Sequence, residues 1–121
     1  MTADYDRAVT EHIIDLVEDR GELLALIEMV PASDHLLIEN LAVRPDQQGR
    51  GLGDLLLRHA EALALSMALA ETQLYTNAAF TSNVAFYGKR GYEEYRRATM
   101  PSGSTAVFMR KKLTKALGQV G

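Results

Sequence analysis

Between residues 43 and 59 the chain reads VRPDQQGRGLGDLLLRH, and this stretch constrains the fold more than any other. An apolar run, HLLIENLAV (35 to 43), stops at Pro45, and from Gly51 the spacing of apolar residues changes from a strand's period to a helix's. Leu52, Leu55, Leu56, Leu63 and Met67 recur at three- and four-residue steps and predict an amphipathic helix from 51 to about 69. Glycine weakens a helix interior, so three glycines at the junction need a reason in backbone geometry or in something the backbone must approach. A helix N-terminus exposes free N–H groups and the positive end of a dipole, which together attract anions. Glycines at Gly49, Gly51 and Gly53 would let a phosphate come close, or they form a tight turn and a cap. The Lys-Ser/Thr pair of the phosphate-binding loop is missing, and the alternate-position glycines do not match the dinucleotide fingerprint.

The remaining elements follow from period and punctuation. HIIDLV (12 to 17) and ELLALIEMV (22 to 30) flank EDRG and predict a hairpin, although Ile13, Ile14 and Val17 also fit a helical stripe. TQLYTNA (72 to 78) reads as a strand, and TSNVAFYGKR as a short helix with Thr81 or Ser82 as N-cap and Gly91 just past its end. YEEYRR and TAVFMRKK are two further strands around the turn MPSGS. A strand-helix-strand unit favours a parallel pair and hairpins favour antiparallel ones. The expected fold is therefore α/β (α+β), a mixed, mostly antiparallel sheet with a central parallel pair and helices packed on it. At 121 residues it should be one domain spanning 1–121.

Composition narrows the chemistry. A net charge of −3 gives no electrostatic reason to expect nucleic acid or an anionic membrane as partner. No apolar run approaches a membrane span and the start, MTADYDRAVTEH, has neither a basic region nor an apolar signal core, so a cytoplasmic location is expected. There are no cysteines, which excludes disulfides, thiolate metal sites and a cysteine nucleophile. His12, His35 and His59 show no metal-ligand spacing, so no metal is expected.

The segment Gln48-Gly49-Arg50-Gly51-Leu52-Gly53, directly after NLAVRP, resembles the acetyl-CoA-binding signature Gln/Arg-x-x-Gly-x-Gly/Ala of the GNAT superfamily of N-acetyltransferases. NAAFTSNVAFYGKRGYEE resembles a later superfamily segment: Tyr87-Gly88-Lys89-Arg90-Gly91-Tyr92 supplies its Tyr-x-x-x-Gly-aromatic part, and Asn83 sits one helical turn before Tyr87. The resemblance runs from about His12 to Leu113. It implies a GNAT-like fold and transfer of an acetyl group from acetyl-CoA to a primary amine of a small molecule or peptide. It also implies an N-terminally short domain, because members usually begin with a further strand and two helices. The alternative reading is a non-catalytic acyl-CoA-binding module.

By the same resemblance Tyr87 is the acid that protonates the departing thiolate, Leu41, Ala42 and Val43 form the strand whose main chain pairs with the pantetheine arm, and Asn83 lines the cofactor. Each has a plainer reading: Tyr87 and the strand side chains as core, Asn83 as a helix-start hydrogen bond. An alkylamine with a pKa near 10.4 is only about one part in 10³ neutral at pH 7, so a base or water chain must take its proton. Glu39, ahead of the glycine loop, is the candidate base, although a glutamate on a half-exposed strand is usually just solvated. With no cysteine and no Gly-x-Ser-x-Gly elbow, direct transfer in a ternary complex remains. The short front should leave apolar surface near Ile13, Leu16, Leu24 and Leu26, to be covered by a second subunit in a homodimer or by residues 1 to 11 folding back as a helix.

Overall fold

The computed structural model describes residues 11–114, so a helix over residues 1 to 11 lies almost wholly outside the described residues. Strand β1 (Ile13–Asp19) and β2 (Glu22–Pro31) form the expected hairpin, turning through Arg20 and Gly21 with φ of 53° and 81°. β3 (Leu36–Val43) leads through a 3-10 turn, Pro45–Gln47, into helix α1 (Leu52–Ser66). Then come β4 (Glu71–Asn77), helix α2 (Thr81–Gly88), β5 (Glu93–Thr99) and β6 (Thr105–Lys112). The six strands lie in the order β1-β2-β3-β4-β6-β5, antiparallel throughout except for the β3–β4 pair. This is the mixed sheet with a parallel pair at its centre that the element order predicts.

Period-2 alternation sorts the strand residues onto two faces. Ala25, Ile27, Met29, Leu36, Ile38, Leu74, Val107 and Met109 are buried in one core with Leu56, Leu57, Ala60 and Ala64 of α1. The buried stripe of α1 differs from the expected one. Leu55 and Met67 are 55% and 39% exposed, whereas Leu57 and the two alanines are buried. Small alanines let the helix axis approach the sheet, so the packed face is centred on Ala60 rather than on the larger leucines, and Leu52 and Leu63 flank it. The buried Thr72 hydroxyl is satisfied by Tyr92 Oη at 2.8 Å, which in turn donates to Glu61 Oε2 at 3.0 Å.

Helix α2 starts differently from expectation too. Phe80, not Thr81 or Ser82, is its N-cap, and no side chain caps it. Asn77 sets the entry instead: its side-chain oxygen accepts from the Ala79 N–H at 2.8 Å and its carbonyl from the Phe80 N–H at 2.9 Å. The chain is therefore already turning when it reaches the hydroxyls. Gly91, with φ of 95°, follows the helix as expected.

The other sheet face carries Ile14 and Leu16 of β1, 56% and 50% exposed, beside half-buried Leu24 and Leu26. Ile13 does not belong to that surface. It pairs with Met29 and packs against the core, because alternation turns it to the helix side.

Two irregularities at the centre of the sheet prepare the site. The β2–β3 register slips between Glu28, opposite Asn40, and Met29, opposite Ile38, which leaves Glu39 as the extra residue of a bulge. Parallel pairing of β3 with β4 ends at Ile38 and Leu74, although both strands continue. Beyond that point β3 and β4 part.

Candidate functional site

The glycine loop forms the rim of a cavity of about 600 Å³. Gly49 and Gly51 have φ of 85° and 82°, a left-handed backbone that glycine adopts without strain, and no atom lies within 4 Å of where a Cβ would stand. The loop backbone is thus bare toward the cavity, at the N-terminus of a 15-residue helix. Gly53 is different. It lies inside α1, and its missing Cβ would come 3.3 Å from Phe86 Cζ of α2. Its size serves the close approach of two helices, not the approach of an anion.

That approach is clasped from the side. Arg90 donates through Nε to Asp54 Oδ1 at 2.8 Å and through Nη1 to the Phe86 carbonyl at 3.0 Å, while its guanidinium stacks on the Phe86 ring at 3.7 Å. Asp54 sits on the first turn of α1, so this contact ties the start of one helix to the end of the other. The cavity runs between them.

Of the residues singled out from the sequence, Leu41, Val43, Gln48, Gly49, Gly51, Leu52, Gly53, Asn83 and Tyr87 line this cavity. Ala42 and Arg50 do not. Alternation points Ala42 to the opposite sheet face, and Arg50 donates to Oε1 of Gln47, which is part of the lining, at 3.1 Å. Gln48 reaches back to donate from Nε2 to the Val43 carbonyl at 3.3 Å and so holds the loop against β3.

Tyr87 stands edge-on to Phe86 and Tyr92, with ring centroids 5.2 and 5.9 Å away. Burial pushes its phenol above the usual value of 10, so it keeps its proton at neutral pH. Asn83 and Tyr87 also line a second cavity of about 200 Å³, which opens where β3 and β4 part. Leu41 is shared as well. The two spaces therefore meet at Tyr87.

Glu39 lies in the second cavity, not the first. Its Oε2 accepts a hydrogen bond from Tyr75 Oη at 3.2 Å. Burial, followed by the Glu39 charge, raises the Tyr75 pKa above the usual value. The three histidines are dispersed: His12 bonds Glu28, His35 bonds Asp34 and His59 bonds Asp15. No group of metal-binding side chains gathers among the described residues.

Phe86, Arg90 and Asp54 in the first cavity and Tyr75, Asn77 and Phe80 in the second are parts of the site that sequence reasoning missed. For Arg90 a signal was present, since a helix read over TSNVAFYGKR places it one turn after Phe86, although in the structure α2 ends at Gly88 and Arg90 follows in the turn.

The sequence matches the family model described as the acetyltransferase (GNAT) family over residues 2–92. No curated protein matches significantly. Among solved structures, nourseothricin acetyltransferase superposes with a TM-score of 0.79 at 18% identity, over 87% of this chain and 67% of its own. The ribosomal-protein-S18-alanine N-acetyltransferase from Escherichia coli gives 0.76 at 22% identity, over 96% and 79%. A GNAT family acetyltransferase from Elizabethkingia anophelis with acetyl-CoA bound gives 0.75 at 16% identity, over 93% and 84%. At these identities the likeness is one of fold.

Proposed function

From the premise that this chain belongs to the GNAT acetyltransferase family, we propose that it moves the acetyl group of acetyl-CoA to a primary amine by direct transfer in a ternary complex. The observation that carries this reading is the meeting of two cavities at one half-buried phenol. One is rimmed by bare helix-start amides and the other holds a carboxylate.

The Gly49 to Gly53 amides would take the pyrophosphate, with no side chain to block approach at Gly49 and Gly51. Main-chain groups of Leu41 to Val43 would run beside the pantetheine arm as a neighbouring strand does. A solved GNAT acetyltransferase of the same fold holds acetyl-CoA, which supports the choice of acyl donor. Glu39 accepts the proton that the attacking ammonium must lose, directly or through water. The amine nitrogen then forms its bond to the thioester carbonyl carbon and the C–S bond breaks. Tyr87, kept protonated by burial, gives its proton to the departing thiolate, and solvent restores it. Two protons leave the nitrogen: Glu39 takes the first from the ammonium and passes it to solvent, and the second, lost by the acylated nitrogen as the C–S bond breaks, offsets the one that Tyr87 delivers, so the products are the amide, the CoA thiol and one proton.

No helix among the described residues is long and apolar enough to cross a membrane. The deciding experiment is release of free thiol from acetyl-CoA in the presence of a panel of primary amines. Amine-dependent release supports the enzyme. Binding of acetyl-CoA with no release for any amine supports the acyl-CoA-binding module instead.

A further inference from the structure

A row of side chains crosses the uncovered sheet face at the second cavity. Glu28 on β2 lies beside the bulge that carries Glu39 on β3; next comes Tyr75 on β4, paired in register with Phe108 on β6. The charge along this row is uneven. Glu39 is the one charged side chain lining the second cavity among the described residues, and the rest of the lining is amide, hydroxyl, aromatic and aliphatic. Arginine enters the row at its far end from Glu28, where Arg96 lies over the Phe108 ring at 4.8 Å, and Arg110 lies over the Tyr95 ring at 4.9 Å.

Glu28 extends the negative end. Its charge reaches the Tyr75 hydroxyl, which also bonds Glu39, so the phenol lies under the influence of two carboxylates. His12 Nδ1 contacts Glu28 through Oε2 at 2.6 Å, and the described hydrogen bonds leave Oε1 for another donor. A single carboxylate at the cavity would suit any amine. A second one on the neighbouring strand, about 5 Å along the sheet, suits a second positive charge on the same molecule.

We infer that the acceptor is a dicationic amine, of the size of a short aliphatic diamine, whose reacting nitrogen lies at Glu39 on β3 while its second ammonium is held by Glu28 on the adjoining strand β2. Tyr75, 42% exposed on β4, flanks Glu39 on the side away from Glu28 and donates to Glu39 Oε2, leaving the Glu28 side of the carboxylate pair for the diamine. This inference rests on the reading of the second cavity as the acceptor site.

The test compares 1,4-diaminobutane with butylamine as acceptors, by thiol release, in the wild type and in Glu28→Gln. Charge-assisted hydrogen bonds contribute enough that the wild type should favour the diamine in kcat/KM by about tenfold or more. Glu28→Gln keeps the shape of the side chain and should bring that ratio close to one by raising KM for the diamine. If the variant does not fold, the wild type alone decides, because raising ionic strength should raise KM for the diamine more steeply than for butylamine. Equal efficiency for the two amines in the wild type, or a preference that survives Glu28→Gln or salt unchanged, overturns the inference while leaving acetyl transfer intact. Turnover of neither amine, nor of any other in the panel, overturns the transferase reading and this inference with it.

Discussion

Gly53 on α1 and Phe86 on α2 approach so closely that a single added methyl group would lie 3.3 Å from the Phe86 ring. The ring cannot give way freely, since the Arg90 guanidinium covers it at 3.7 Å. The width of the main cavity at its helix-start end is thereby fixed by one missing side chain and one stacked pair.

Gly51→Ala and Gly53→Ala should consequently behave differently. At Gly51 the residue must adopt a φ of 82°, so alanine should lower stability by about 1–2 kcal/mol while leaving open space unfilled. At Gly53 the gain in helix propensity of about 1 kcal/mol offsets the tight contact, but α1 and α2 must separate slightly. Calorimetric melting should show a clear loss for Gly51→Ala and little change for Gly53→Ala, whose CoA affinity should nevertheless fall. Unchanged affinity in folded Gly53→Ala would show that helix spacing does not govern the cavity.

Tyr87→Phe keeps the edge-on contacts to Phe86 and Tyr92 and should bind CoA as the wild type does. Turnover should drop by roughly 10²-fold or more, the usual scale for a lost general acid. Thiol release under saturating acetyl-CoA measures it, and turnover at the wild-type rate on a good acceptor would make Tyr87 structural only.

How much of this site was legible beforehand depends on how local the cause was. The glycine loop and the Asn83–Tyr87 spacing could be read because each lies within one helical turn or one loop. The burial of Leu57 and Ala60 in place of Leu55 was not, because a run of leucines has no unique stripe until the sheet selects one. Glu39 was found as a residue but not as the extra residue of a bulge, since register depends on the partner strand. Tyr75 and Phe80 came to the site through the parting of β3 and β4, a relation between segments about 36 residues apart for the Tyr75–Glu39 bond. Gly53 was legible as a necessary glycine and misread in its reason, because Phe86 lies on another helix.

Alkaline pH should act through the buried phenol of Tyr92 and the half-buried one of Tyr87. Burial raises both Tyr87 and Tyr92 above 10 in the folded chain, whereas in the unfolded chain they titrate at the ordinary value. Above that value the unfolded state binds fewer protons than the folded state, so folding is progressively disfavoured. The contribution is intact below about pH 10 and is lost as pH rises toward the folded values. Melting temperature should be flat with respect to these groups from pH 7 to 9 and fall beyond 10, and Tyr92→Phe should flatten the alkaline decline. The same shift keeps Tyr87 able to donate throughout the neutral range, so a loss of kcat between pH 7 and 9 would point to a different acid.

Strand β1 pairs on one side only, with β2, and is an edge of the sheet among the described residues. On the uncovered face it carries Ile14 and Leu16, next to Leu24 and Leu26 of β2. An unpaired edge with adjoining apolar side chains tends to recruit another strand or another surface, and a twofold arrangement lets one patch satisfy its own copy. We expect a homodimer at micromolar concentration, visible as twice the chain mass in light scattering. Leu16→Asp puts a charge into that patch without touching the core, since Leu16 faces away from α1, and should return the protein to the monomer with its melting temperature falling only by the linkage to association. A wild-type monomer at the same concentration, with β1 amides protected from exchange, would show that the chain covers this surface itself.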